Sequence, residues 1–303
     1  MGIILYREPH LESPILIASW PGIGNIGIIA VDTFRGMVRA EEIGEIEPWD
    51  FFYPKKVSIR NGELRSLEYP SSKFYLGKAG GRDLVFFIGE EQPTEMGKAY
   101  AEGTKAYQMA NLVLDVALKL GCRRIYTSGA AVAPVHHTVR PRVWAVPNRE
   151  ELINEVKSYE NVVLMSDIEG RGGQGNITGL NGLLLGVARK RGVDAICIMG
   201  EIPIYFQGFP LPYPKASKSV LEVLTVSLDI ELEMQGISAI VERSEGEIER
   251  LYESFPSEIR EELDKLRYVT HARETDPESI TEEDKNRILE DIDKFFKKES
   301  KDD

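Results

Sequence analysis

The sequence predicts an α/β protein: a mainly parallel, mixed sheet covered by helices, followed by a helical C-terminal extension. Three observations carry this expectation. Apolar runs of strand length, such as Leu84–Ile88 and Val193–Met199, alternate with segments of helical period. The run Pro14–Ser19 passes through Trp20-Pro21 and the glycines Gly22, Gly24 and Gly27 into an apolar segment reaching about Val38, the strand–turn–helix unit that opens such folds. After Pro214 the pattern becomes helical only.

In chain order, Ile3 to Tyr6 reads as a short first strand and His10 to Ser13 as a polar connector. The glycines of the opening turn spell G-x-G-x-x-G, and helix starts favour anions through their free N–H groups. A dinucleotide site also needs an acid at the end of a second parallel strand. Glu41, Glu42, Glu45 and Glu47 lie at about the right offset, but in a polar stretch that gives no clear parallel strand. The competing reading is that Gly22, Gly24 and Gly27 let the chain reverse and the helix pack closely on its strand.

Asn61-Gly62 between two β-prone runs signals a hairpin, an antiparallel excursion of the sheet. Phe74–Leu76 pairs with Leu84–Ile88 across Gly80-Gly81, and the second run is apolar throughout, as in a strand buried on both faces. A long helix is expected from Met96 to Leu120, closed by Gly121. Strands follow at Arg123–Ser128, Val143–Val146 and Val162–Met165, with Asn148 capping a helix over Arg149–Tyr159. A second glycine-rich stretch, Gly170–Asn176, leads into an almost wholly apolar helix ending near Arg191-Gly192. The strand Val193–Met199 then runs into Gly200-Glu201-Ile202-Pro203-Ile204-Tyr205.

Lys215–Gln235 is an amphipathic helix. Beyond it, Ile248, Leu251, Tyr252, Phe255 and Ile259 form one stripe, and Ile288, Ile292, Phe295 and Phe296 another past a polar hinge. The expected division is a core domain over 1–236 and an acidic helical extension over 237–303. The two stripes are the candidate partner-binding residues.

Composition narrows the function. The chain has 303 residues, 28% of them charged, and a net charge of −12, the opposite of a nucleic-acid binder. No apolar run approaches membrane-spanning length, the start Met1–Tyr6 lacks signal-peptide character, and Cys122 and Cys197 have no metal or redox spacing. A cytoplasmic protein with buried free thiols, no metal and no cofactor is expected.

Ligands of open α/β sheets bind beyond the carboxyl ends of the strands. The loops leaving such ends carry Glu90, Glu91, Gln92, Asp167, Glu169, Arg171, Glu201 and Tyr205. His136-His137 with Arg140 and Arg142 is the one cluster joining a candidate base to anion-binding groups. A ligand-binding reading therefore takes Gly22, Gly24, Asn25, Gly27, Glu90, His137, Arg142, Gly173, Gly175, Glu201 and Tyr205 as an enzyme's nucleotide, nucleoside or phosphate site. The plainer reading makes the histidines surface residues and the carboxylates partners of local backbone, Glu201 bonding nearby loop backbone with the glycine turn as a candidate. No nucleophile elbow and no H-E-x-x-H pattern supports catalysis.

Four motifs in order, Pro21–Gly27, Pro141-Arg142-Val143, Gly179–Gly186 and Gly200–Tyr205, resemble the proteasome assembly chaperone family in its archaeal single-chain form. The resemblance covers roughly residues 10 to 240. It implies a nucleoside-phosphorylase-like α/β fold without established catalysis. It also implies homo-oligomers that engage proteasome core subunits or another assembly factor. Members that dock on the core particle end in a hydrophobic residue, tyrosine and one more residue, whereas this chain ends Lys301-Asp302-Asp303. The resemblance thus implies a homo-oligomeric scaffold and leaves chaperoning by another surface open.

Overall fold

The structure, a computed structural model, describes residues 2–94, 103–164 and 175–268. Its strands are β1 (Ile3–Leu5), β2 (Ile15–Ser19), β3 (Glu41–Ile46), β4 (Lys56–Arg60), β5 (Glu63–Glu68), β6 (Ser72–Ala79), β7 (Arg82–Gly89), β8 (Arg124–Ala133), β9 (Val143–Pro147), β10 (Val162–Leu164) and β11 (Asp194–Pro203). The helices are α1 (Ile26–Met37), α2 (Gly103–Lys119), α3 (Ile153–Lys157), α4 (Gly179–Lys190), α5 (Pro214–Leu228), α6 (Gln235–Glu253) and α7 (Ser257–Asp264).

The uninterrupted apolar strands occupy the middle of a nine-stranded sheet of order β1-β3-β6-β7-β2-β8-β11-β9-β10. From β7 through β2 and β8 to β11 the strands are parallel, and antiparallel pairings flank them on both sides. Alternation along β2 sends Ile15 and Ile17 to the face covered by α1 and α5, and Leu16 and Ala18 to the face covered by α2 and α4. The fold is therefore a mixed sheet between two helical layers, with further helices at the C-terminal side.

Several local expectations are corrected. The glutamates after α1 form a strand, β3, antiparallel to both β1 and β6. Their charges are matched across the ladder, Glu41 by Arg7 and Glu42 by Lys73, while Ile43 and Ile46 turn inward. β3 is not a parallel neighbour of β2, so Glu41, Glu42 and Glu45 are not placed as the acid of a dinucleotide fold. The Asn61-Gly62 hairpin forms with φ of 55° and 81°, but as a separate two-stranded sheet. β8 and β11 run on through Ala133 and Pro203, past the expected strand ends at Ser128 and Met199, because the two strands pair residue by residue along their whole length. Asn148 caps no helix. Its amide donates to Val193 O and accepts from Ala195 N, tying β9 to the start of β11. The helix expected to reach Gln235 stops at Leu228, where Asp229 takes a left-handed conformation, and α6 begins seven residues later.

Residues of α6, α7 and the turn between them enter the sheet's own core: Ile237, Ile248, Tyr252, Phe255 and Leu263 are buried in one cluster with Ile202 and Tyr205. The expected first residues of α2, and Asp167, Glu169, Arg171, Gly173, Ile288, Ile292, Phe295 and Phe296, lie outside the described residues.

Candidate functional site

Gly24, Gly27, Glu90, Gln92, His137, Arg142, Glu201 and Tyr205 lie around the carboxyl ends of β2, β7, β8 and β11, and each is engaged by the chain itself. The glycine turn is shaped by close approach. Gly24 has φ of +60°, and a Cβ there would lie 2.9 Å from Ile202 Cδ1. A Cβ on Gly27 would stand 2.3 Å from Ser128 O, so this glycine lets α1 rest on the backbone of β8. Gly22 is extended and meets nothing within 4 Å. Asn25 is left-handed and makes no side-chain cap. Tyr213 N donates to Gly24 O at 2.8 Å, and the buried Tyr213 and Ile202 side chains occupy the space around the turn. The helix start is thus filled by protein.

Beside it, Gln92 joins three elements. Its Nε2 donates to Pro21 O at 2.6 Å, and its Oε1 accepts from Leu180 N at 2.9 Å, satisfying one orphan donor at the start of α4. Glu90 accepts from Ser71 N at 3.0 Å, and that hydrogen bond holds its carboxyl below the usual range. Gly175 is exposed before α4.

Glu201 projects from β11 onto β9. Its carboxylate accepts from Arg142 N at 3.0 Å, from Arg142 Nη2 at 2.7 Å and from Trp144 Nε1 at 2.7 Å. Burial works to raise this carboxyl, but the Arg142 guanidinium and these hydrogen bonds outweigh it and hold the pKa down. The expectation that Glu201 bonds backbone holds at Arg142 N; the partner strand is β9 and not the glycine turn.

The adjacent histidines are buried, not surface residues, because aromatic rings enclose them. Their ring centroids are 4.2 Å apart, and Tyr252 of α6 lies 4.6 Å from His137 and 5.2 Å from His136. His137 N donates to Tyr205 Oη at 2.8 Å. The Tyr205 hydroxyl then donates to His137 Nδ1 at 2.9 Å, which leaves the ring proton on Nε2, 3.2 Å from Glu249 Oε2. Lys215 Nζ donates to His137 O at 2.9 Å. His136 Nδ1 meets Thr138 Oγ1 at 2.8 Å, and Nε2 stands 3.4 Å from Asp264 Oδ1. Burial lowers both histidines, His136 to about 3, so both rings are neutral near pH 7. Burial raises the Tyr205 hydroxyl, which serves as a hydrogen-bonding group and not as an acid.

Of the expected partner-binding stripe, Ile248, Tyr252 and Phe255 are buried against Tyr205, the histidines and Phe209, and Leu251 is half-buried beside them. They are covered by their own chain. Cys122 and Cys197 are free and buried, with burial pushing their thiols up to about 12 and about 11. Among the described residues, no group of three or more His, Cys, Asp and Glu side chains is placed to hold a metal. No described helix is long and apolar enough to cross a membrane. Sequence reasoning missed Trp144, Lys215 and Glu249, whose partners lie far away in sequence; Trp144 alone left a signal, as a polar-tipped aromatic one residue past the Pro-Arg-Val motif.

These features define a class of protein: a helix-covered mixed sheet in which Gln92, His137, Arg142, Glu201 and Tyr205 are spent on internal cross-links. Residues 16–252 match the model of the PAC2 family, and the chain belongs to that family. It is 28% identical over 246 residues to the uncharacterized protein MJ1210 of Methanocaldococcus jannaschii, covering 80% of this chain and 84% of that one. The crystal structure of Pyrococcus furiosus PbaB, described as an archaeal proteasome activator, is similar at a TM-score of 0.65 and 27% identity, over 82% of this chain and 98% of that one. P. furiosus PbaA, described as an archaeal homolog of proteasome-assembly chaperone, shares the fold at a TM-score of 0.60 and 22% identity, over 83% and 96% of the two chains.

Proposed function

We propose that this protein is a non-catalytic, homo-oligomeric scaffold of the proteasome-assembly-chaperone kind, binding proteasome core subunits or another assembly factor in the cytoplasm. The observation that carries the reading is the likeness to PbaB over 82% of this chain and 98% of that one, at 27% identity. The strand ends support it: Glu201, Arg142, His137, Tyr205 and Gln92 are all partnered within the chain.

The test is native mass spectrometry of the full chain mixed with core subunits from its own source, alongside thermal shift with nucleotides, nucleosides and phosphate. A discrete complex and flat melting curves are expected. A ligand binding the native state alone raises its melting temperature by mass action. Absence of any complex together with a shift specific to one nucleotide would overturn the scaffold reading in favour of a nucleotide-binding enzyme.

A further inference from the structure

The β4–β5 hairpin presents an apolar face that its own chain leaves in solvent. Val57 pairs with Leu67 and Ile59 with Leu64, which puts all four side chains on one face, at 47%, 47%, 70% and 68% exposure respectively. The opposite face is polar, with Ser58 and Ser66 hydroxyls 2.8 Å apart. Trp49 and Tyr53 add 61% and 89% exposed rings just before it. Six of the fourteen exposed large hydrophobic residues among the described ones therefore fall within residues 49–67. Singly scattered apolar residues need no explanation, but such a concentration marks a contact surface. An isolated two-stranded hairpin is at best marginally stable in water, so a covered face also serves the hairpin itself.

Charge and geometry indicate the occupant. Residues 53–68 carry four bases, Lys55, Lys56, Arg60 and Arg65, against Glu63 and Glu68, on a chain of net charge −12. The remainder of any second copy is acidic, and the hairpin is where two copies approach with attraction. The same chain also offers a seat. A groove of about 440 Å³ runs between β1 and α2, with Ile3, Leu5 and Val116 in it and Glu8, Asp115 and Lys119 around them. Among the described residues β1 ends the nine-stranded sheet and pairs only with β3, leaving its outer edge open, and the outer edges of β4 and β5 are open likewise. Strand addition closes such edges while side chains fill the groove beside them.

We propose that the β4–β5 hairpin is a self-association arm that docks its apolar face into the β1–α2 groove of a second copy of this chain. The proposal rests on the homo-oligomer reading above and names the surfaces that make it. Arm and groove are different patches, so the contact is head-to-tail and builds a ring if the rotation closes.

Light scattering of the full chain, with cysteine cross-linking, tests the arrangement. The intact chain is expected at a multiple of 34.1 kDa, and Ile59→Asp with Leu64→Asp is expected to reduce it to that mass with an unchanged melting transition. Ile59→Cys and Ile4→Cys in one chain are expected to give an oxidised ladder, and either alone none, since the native thiols are buried. A monomeric intact chain would overturn the homo-oligomer reading and the arm's occupant together. An oligomer that survives both aspartates would leave that reading standing and overturn the arm. A dimer cross-linked through Ile59→Cys alone would overturn the groove in favour of arm on arm.

Discussion

At Glu201 two side chains and one backbone N–H converge on a single buried carboxylate, and the residue it anchors, Arg142, is only partly exposed. Glutamine keeps one acceptor oxygen but puts an NH2 donor where the other stood, so one of the three converging N–H groups loses its acceptor and the Arg142 guanidinium loses its counter-charge. Glu201→Gln is expected to cost about 1–3 kcal/mol of unfolding free energy, the range for a compromised buried polar partner. The folded-state pKa is depressed, so the unfolded chain binds the extra proton first. The stabilisation is complete above the ordinary value of 4.5 and is lost as pH falls below it, through the folded pKa. Denaturant melts from pH 7 downward should show this loss in the native chain and a smaller one in Glu201→Gln; equal acid sensitivity would exclude the role. The glycine turn supplies a comparison within one loop. Gly27→Ala drives a Cβ into the Ser128 backbone and should cost about 1–3 kcal/mol as overpacking. Gly22→Ala meets nothing within 4 Å and should stay within about 0.5 kcal/mol. Equal melting temperatures for the two variants would refute the close-packing account.

The junction of α6 with the sheet is built around two neutral histidines. His136 and His137 face Glu249 and Glu245 of α6 through Lys215 and their own ring nitrogens, and Asp264 and Arg267 beyond α6. Burial depresses both pKa values below 6.5, so stability is full above that pH and falls as acidification toward pH 5 protonates the unfolded chain first. Each such histidine contributes at most about 1.4 kcal/mol per pH unit in that window. Hydrogen exchange of α6 is expected to quicken from pH 7 to 5, and His136→Gln with His137→Gln to flatten the dependence; an α6 equally protected at both pH values would contradict it. The sequence conveyed these elements unevenly, for physical reasons. Asn61-Gly62 and Gly80-Gly81 announced their hairpins because only such residues accept two successive positive φ angles cheaply. The expected strands stop at Ser128 and Met199, yet Gly200 lies inside β11, where a Cβ would come 2.9 Å from Ala216 O of α5. A glycine needed for close approach cannot be told in sequence from one needed for a turn.

For the molecule as a whole, residues were more legible than partnerships. Glu201, Arg142, His137 and Tyr205 stood out by type and position. Their pairing could not, since 59 residues separate Arg142 from Glu201 and 68 separate His137 from Tyr205. The same limit applies to the helical end of the chain, where the stripe Ile248, Tyr252 and Phe255 gives the period of a docked helix without naming the surface. In the structure that surface is the chain's own sheet: Ile237, Ile248, Tyr252, Phe255, Leu263 and Leu266 are all buried in the cluster that contains Ile202 and Tyr205. Each large apolar side chain contributes roughly 1.5–3 kcal/mol when fully covered. Six together rival the whole stability of an ordinary domain, about 5–15 kcal/mol. A chain ending at residue 236 would lose them all and bare Tyr205, His136 and His137 to water. One ending at Tyr268 keeps every one of these contacts. Truncation after 268 is therefore expected to leave a cooperative melt within a few degrees of the full chain, and truncation after 236 to abolish it. A sharp, native-like transition in the 1–236 fragment would show that 237–303 is a separable extension after all.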